Sequence, residues 1–348
     1  MKVQRRELLK CLASVDVGLS KGDGIEQSSC YVFRGGRAWT FNEDLLCSIG
    51  LPKVLKDVEF AVPAKELKTV LSKLKEDEIS AEFNVSESSE LVIRSAGKKA
   101  RRRAGIRVES EITLPVDGVA IADDWKKLPK GFVEAVDTVQ GCAGRDDRQF
   151  VLVCVHIFSD GVEAMDNYQA VRCSLKTGTD ESLLIKSEQL KNVMKLGVTE
   201  WAIDDSWVHF RNTELDLVVS CRRWNEKYPD LSKILKVAGT KSPLSKELVG
   251  AVEKAETFLD TDTDLSGMEV DLKPGKLTLR AEGMRGWYEE QQKIDYKGDP
   301  LHFQIAPRLL REICSRSDSC VVGEERLMVK TDKFTYVSCL TVVGDGDE

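Results

Sequence analysis

The sequence predicts an α+β protein built from three look-alike modules, each an antiparallel sheet carrying helices on one face. Three observations predict it: one order of features recurs three times, strands are joined by short turns, and the helices are amphipathic. The recurring segments are EFAVPAKELKTVLSKL (59–74), SLLIKSEQLKNVMKL (182–196) and LHFQIAPRLLREICSR (301–316). Each reads as a short apolar strand, a polar or proline break, and an amphipathic helix.

In the first of these helices Leu67, Val70, Leu71 and Leu74 share a face, with Lys65, Lys68, Thr69 and Ser72 opposite. In the second, Leu190, Val193 and Met194 face inward and Gly197 stops the helix. In the third, Leu309, Leu310 and Ile313 pack while Arg308 and Arg311 stay polar. A different helix opens each repeat. Leu8, Leu9 and Leu12 mark the first, and Phe132, Val133, Val136 and Val139 the second. Ser242-Pro243 reads as a cap and first turn for the third, with Leu248, Val249, Val252 and Ala255 as its stripe. Hairpins follow each helix, turning at Arg34-Gly35-Gly36, Ser159-Asp160-Gly161, Lys273-Pro274-Gly275, Asp204-Asp205 and near Asp332. The expected modules are residues 1–119, 120–238 and 239–348.

The bulk numbers exclude several classes. No apolar run approaches the roughly 20 residues of a membrane helix. The N-terminal MKVQRRELLKCLASVD lacks the sustained apolar stretch of a signal peptide, so a cytoplasmic protein is expected. The ten cysteines contain no CxxC pair and sit in apolar runs such as VLVCVHIF, as small buried hydrophobes do. His156, His209 and His302 are too scattered for a metal site. No metal or cofactor is expected. TFLDTDTDLSG (257–267) lacks the glycine and closing glutamate of a calcium loop.

The net charge of −7 speaks against a uniformly nucleic-acid-binding surface. Helices of all three repeats nevertheless carry lysine or arginine on their polar faces. If sheets stand outside and helices line a central hole, cations face the hole and the acidic excess lies outside. The candidates for facing DNA are Arg5, Arg6, Lys10, Lys21, Lys65, Lys68, Lys130, Lys191, Lys195, Lys246, Lys254, Arg308 and Arg311. Such contacts to phosphate hold a duplex without reading its sequence.

Three segments resemble the bacterial-type sliding clamp, the β subunit of DNA polymerase III, including phage-borne versions. They are VEAMDNYQAVRCSL (162–175), CRRWNEKYPDLSKIL (221–235) and YEEQQKIDYKGDPLHFQIAPRLL (288–310). The resemblance implies a non-catalytic processivity factor: a head-to-tail homodimer around double-stranded DNA, with DNA polymerase and clamp loader as partners. It implies a peptide pocket containing Met165, Asp166, Asn167, Tyr168, Gln169, Ala170, Val337, Cys339 and Leu340. The family usually has glycine, arginine and leucine at Asn167, Gln169 and Ala170, and methionine-proline at Cys339-Leu340. A reshaped pocket for a dedicated partner is expected. Lys98, Lys99, Arg101, Arg102 and Arg103 are expected to meet Glu289 and Glu290 across the dimer interface. Two other readings compete: a clamp-like adaptor never loaded on DNA, and a cysteine- or carboxylate-dependent enzyme.

Overall fold

A computed structural model describes all residues except 21, 23, 85–88, 97–100, 245–246, 260–266 and 343–348, and the side chains of 83, 84 and 342. Lys21, Lys98, Lys99, Lys246 and most of the 257–267 loop therefore lie outside the described residues. The chain packs as two compact units. One holds residues 1–133 and 185–225, the other 134–184 and 226–348, so the middle repeat is divided at its centre.

Six α-helices are described: α1 (Arg5–Val15), α2 (Ala64–Lys73), α3 (Phe132–Gln140), α4 (Ser187–Met194), α5 (Glu247–Glu256) and α6 (Pro307–Arg316). Their apolar stripes fall where helical periodicity puts them. Leu8, Leu12 and Val15 of α1 are buried, as are Leu67 and Leu71 of α2, and Leu309, Leu310 and Ile313 of α6. Proline starts α6, where its missing N–H costs nothing. Gly197 at φ +66 lies just beyond α4. Two details differ from expectation. Val133 is 39% exposed rather than part of the α3 stripe. Ser242-Pro243 does not begin α5 but ends the strand Thr240–Pro243, which pairs with Ser319–Val322. That strand lies at a sheet edge, where proline's lack of a donor is tolerated.

Every strand pairing described is antiparallel. In the first unit, Lys2–Gln4, Glu78–Asn84, Glu90–Ala96 and Arg101–Arg107 form a four-stranded sheet in that order. An eight-stranded sheet joins Cys30–Arg34, Arg37–Asn42 and Leu45–Gly50 of the first repeat to Leu217–Arg222, Trp207–Asn212 and Glu200–Ile203 of the second. The join pairs Leu45 with Cys221 and Ile49 with Leu217. Arg37 crosses it, donating to the Asp216 carboxylate at 2.8 Å and the Asp216 carbonyl at 2.7 Å. Gly50 sits under that aspartate, whose carboxylate a side chain there would strike.

The second unit repeats the scheme. Its eight-stranded sheet joins Gln169–Ser174 of the second repeat to Phe334–Cys339 of the third, pairing Gln169 with Ser338 and Cys173 with Phe334. The Tyr336 hydroxyl donates across this join to Gln169 Oε1 at 2.9 Å. A five-stranded sheet runs Gly286–Lys293, Lys276–Gly283, Met268–Lys273, Leu301–Ile305 and Thr341–Val342. The predicted hairpin turns are present: Gly35 and Gly36 take φ +58 and +72, as a two-residue turn between twisted strands requires.

Behind the first sheet, Ser95 Oγ donates to the Glu76 carboxylate at 2.7 Å and Arg102 at 3.0 Å. The Ser95 hydrogen bond, with a backbone N–H and Arg102, holds this carboxyl down at about 2. A depressed acid stabilises the fold above its ordinary value of 4.5, and loses that contribution as pH falls towards 2. Glu76→Gln should therefore flatten the pH dependence of stability across that acid window and leave it unchanged near pH ~7. Denaturant midpoints across the range measure this.

Candidate nucleic-acid surface, peptide pocket and open sheet edges

The cations predicted to face DNA divide by environment. Arg6, Lys10, Lys65, Lys130, Lys195, Lys254 and Arg308 are exposed, and Lys68, Lys191 and Arg311 half-buried. Lys10, Lys65, Lys130, Lys191 and Lys195 have no carboxylate partner among the described residues. Others are engaged: Arg6 with Asp77 at 3.8 Å, Lys68 with Asp16, Lys254 with Glu290 at 3.1 Å, and Arg311 with Glu256. Such exposed pairs are weak and exchange readily for phosphate. The exposed face of α3 carries Glu134 and Asp137 instead of cations.

Arg5 does not face solvent. It is 8% exposed, its Nε donating to the Glu76 carbonyl at 2.8 Å and Nη1 to the Leu71 carbonyl at 3.1 Å. The last carbonyls of a helix lack intrahelical partners, and Arg5 caps that of Leu71 in α2 and the Glu76 carbonyl just beyond it. Sequence spacing cannot separate this role from a phosphate contact, because both need a cation beside a helix.

In the second unit the hairpin Met165–Ala170 is folded by Asp166, whose Oδ1 accepts from the Tyr168 and Gln169 amides at 2.7 and 2.9 Å. Beside it a small cavity of about 60 Å³ is lined by Tyr168, Gly267, Gln304, Ile305, Ala306, Arg308, Leu309, Cys339 and Thr341. Arg308 lies over the Tyr168 ring at 5.7 Å and 3.6 Å from Asp166. It belongs to this rim as much as to any DNA-facing surface. Of the predicted pocket residues, Tyr168 and Cys339 line the cavity and Asp166 positions its rim. Met165 is half-buried and Asn167 exposed, neither on the lining. Gln169, Ala170, Val337 and Leu340 do not line this cavity and are buried, at 6%, 1%, 1% and 7% exposure. Strand alternation turns them into the sheet's packed faces. The helix-entry residues Ile305, Ala306 and Leu309 were missed, although LHFQIAPRLL had marked the segment.

The expected interface residues lie on two open edges. Arg101, Arg102 and Arg103 are exposed on Arg101–Arg107, the last strand of the four-stranded sheet. Glu289 and Glu290 lie on Gly286–Lys293, the first strand of the five-stranded sheet. Glu289 points outward. Glu290 points to α5, bonded by the Tyr288 hydroxyl, Gln292 and Lys254, and is held down at about 2 chiefly by the first. It is not a free partner. Trp287, also on this edge, is 62% exposed and was missed.

The other reactive side chains are occupied. His156 contacts Glu163 at 2.8 Å and Ser182 at 2.9 Å, His209 contacts Ser220 at 2.7 Å and Asp204 at 2.9 Å, and His302 contacts Asp271 at 3.0 Å. Seven cysteines are buried, Cys11 and Cys314 are half-buried, and Cys339 is exposed. Burial pushes the Cys47 and Cys142 thiols up to about 12.

No family model and no curated protein matches the sequence. Solved structures do. A DNA polymerase sliding clamp from Bacillus subtilis is similar with a TM-score of 0.83 at 13% identity, over 98% of each chain. The DNA polymerase III subunit beta from Pseudomonas aeruginosa gives 0.82 at 16%, over 98% of this chain and 99% of that one. The corresponding subunit from Thermotoga maritima gives 0.81 at 13%, over 99% of each. The chain has the sliding-clamp fold.

Replacing Lys10, Lys65, Lys191 and Lys195 together by alanine should lower the salt dependence of DNA binding, by about 0.9 for each phosphate no longer neutralised. Arg5→Ala should leave that slope unchanged and destabilise the fold by about 1–3 kcal/mol through orphaned carbonyls. Salt titrations and denaturant unfolding separate the two.

Proposed function

We propose that the protein is a sliding clamp that encircles duplex DNA and tethers a replicative polymerase, without catalysing a reaction itself. One observation carries this reading: the clamp fold extends over 98% of the chain, while basic side chains recur on its helices. Three modules, residues 1–119, 120–238 and 239–348, would close with those of a second copy, head to tail, into a ring. Phosphate contacts from Lys10, Lys65, Lys191, Lys195 and their neighbours supply attraction without register, which sliding requires. Retention then comes from topology. The open basic edge Arg101–Arg107 and the open edge bearing Glu289 support closure, because opposite charge steers and orients association. A clamp loader would open the ring, and a cytoplasmic location follows from work on chromosomal or phage DNA.

The cavity beside Tyr168 is the proposed peptide site. Its volume of about 60 Å³ suits one short apolar side chain, and Arg308 at the rim suits an acidic neighbour. A polymerase with a matching tail would dock there.

Loaded on a nicked circle, the protein should remain bound through a high-salt wash and run off once the circle is cut. Failure to remain on the circle would favour the unloaded adaptor, and retention after linearisation would point to direct gripping of DNA in place of topological closure. Tyr168→Ala should weaken capture of the polymerase roughly tenfold, with retention on circular DNA unchanged; co-sedimentation on the circle reads both.

A further inference from the structure

We propose that the first unit carries a second docking surface, centred on Arg222, for a partner segment that presents a carboxylate beside an apolar side chain. It rests on the peptide-docking reading of the cavity beside Tyr168, whose counterpart it is in the other unit.

The correspondence is made by hydrogen bonds that both joins share. In the second unit, Asp166 Oδ1 accepts from the Tyr168 and Gln169 amides at 2.7 and 2.9 Å. In the first, Asn42 Oδ1 accepts from the Asp44 and Leu45 amides at 3.2 and 2.9 Å. The Cys339 amide donates to the Tyr168 carbonyl at 2.8 Å, and the Arg222 amide to the Asp44 carbonyl at 2.8 Å. One residue on, the Leu340 amide donates to the Glu325 carbonyl and the Arg223 amide to that of Ser206. Asp44 therefore stands where Tyr168 stands, and Arg222 where Cys339 stands. One residue further, Trp224 takes the place of Thr341. Ala306, just before α6, corresponds to Lys186, just before α4.

The same backbone carries different chemistry. Where the second unit places the thiol of Cys339, the hydroxyl of Thr341 and the methyl group of Ala306, the first places two cations and an indole. The Lys186 ammonium donates to the Asp44 carboxylate at 2.8 Å and lies 5.8 Å from the Trp224 ring centre. The Arg222 guanidinium lies over two rings, Trp224 at 5.4 Å and Trp207 at 5.9 Å. Trp207 is the cross-strand partner of Arg222 and is anchored against Phe41.

Asp44 satisfies Lys186 and leaves Arg222 uncompensated. Arg222 is exposed and has no carboxylate partner among the described residues. A guanidinium held over two rings has its fork of N–H donors oriented before a ligand arrives, so a carboxylate binds it at small entropic cost. The half-buried indoles of Trp207 and Trp224 supply apolar contact beside it. One uncompensated cation matches one carboxylate. A single strand of nucleic acid needs a track of cations. Here the exposed Glu43 and Glu188, beside Asp44 and two residues past Lys186, have the wrong sign for a phosphate backbone. The charge pattern fits a peptide.

An acetylated peptide of alternating aspartate and valine is the probe, titrated calorimetrically into the full chain. Two sites per chain are expected. Arg222→Ala should weaken one of them roughly tenfold, and Tyr168→Ala the other. The same peptide with asparagine for aspartate should not reach the Arg222 site. Asp44→Asn should tighten that site about threefold, because Lys186 is released to the ligand; a misfolded variant could not gain affinity. Loss of a site in Tyr168→Ala alone, with Arg222→Ala and Asp44→Asn both without effect, overturns the second surface and leaves the cavity standing. The reverse pattern supports the Arg222 surface and overturns the cavity reading. Displacement of the probe from the Arg222 site by equimolar oligodeoxythymidine would assign the surface to single-stranded DNA and overturn the peptide.

Discussion

Backbone hydrogen bonding between strands of different repeats is the constraint on which the rest of this protein depends. A sheet edge is a row of unpaired donors and acceptors, and leaving it open invites association. The chain closes two such edges internally, at Leu45–Gly50 against Leu217–Arg222 and at Gln169–Ser174 against Phe334–Cys339. Both joins are reinforced by polar side chains that touch across them: Arg37 on Asp216 in one, Tyr336 on Gln169 in the other. A slip of one residue would break these hydrogen bonds and would also turn each apolar row away from its helices. Among the described residues, Arg101–Arg107 and Gly286–Lys293 are edge strands that follow a hairpin and are not joined to another repeat.

That arithmetic links the fold to its charge pattern. An edge that must stay monomeric is blunted by charge of one sign, and an edge that must find a partner is matched to it. Four arginines in the seven residues Arg101–Arg107 would repel their own kind, while Glu289 beside an exposed Trp287 offers them anion and ring. In the proposed ring the same residues would disfavour self-pairing of like edges and favour head-to-tail pairing. In the proposed clamp the helical cations would serve a different end. Lysines such as Lys10 and Lys65 are long, hydrated and unpaired among the described residues, so they can follow a moving phosphate without binding it in one geometry.

Much of the fold was legible in the sequence because hydrophobic periodicity and turn chemistry are local. The stripe Leu67, Leu71 and the paired glycines Gly35 and Gly36 each declare their structure within a few residues. The pairing of Leu45 with Cys221 was not legible, since it joins residues far apart in sequence whose neighbours look alike in every repeat. Ser242-Pro243 misled for a related reason. Serine before proline starts helices and also ends edge strands, and only the partner Ser319–Val322 decides. At the site, residue type was a good guide to exposure for lysine and a poor one for arginine. Arginine's fork can satisfy buried carbonyls, as Arg5 does, while lysine rarely does so. Within the pocket motif Tyr168 lines the cavity and Asp166 shapes its hairpin, while the adjacent Gln169 and Ala170, on opposite faces of their strand, are both buried.

The same saturation of polar groups argues against chemistry as the purpose of the fold. The arrangement Ser182, His156, Glu163 has the contacts of an acyl-transfer relay, with 2.9 and 2.8 Å between successive groups. Yet Glu163 is 2% exposed and shared with Arg172 at 2.6 Å, and the imidazole is stacked between Phe158 and Tyr228 at 5.2 and 4.7 Å. Arg172 also neutralises the carboxylate that would have to stabilise a charged imidazolium. These groups instead fasten the strand Cys154–Phe158 to its neighbour Gly161–Met165, whose hairpin carries Tyr168 to the rim of the cavity. Rigidity at that hairpin is what the proposed docking site would require: a peptide captured by one small cavity gains little unless the cavity is formed before it arrives.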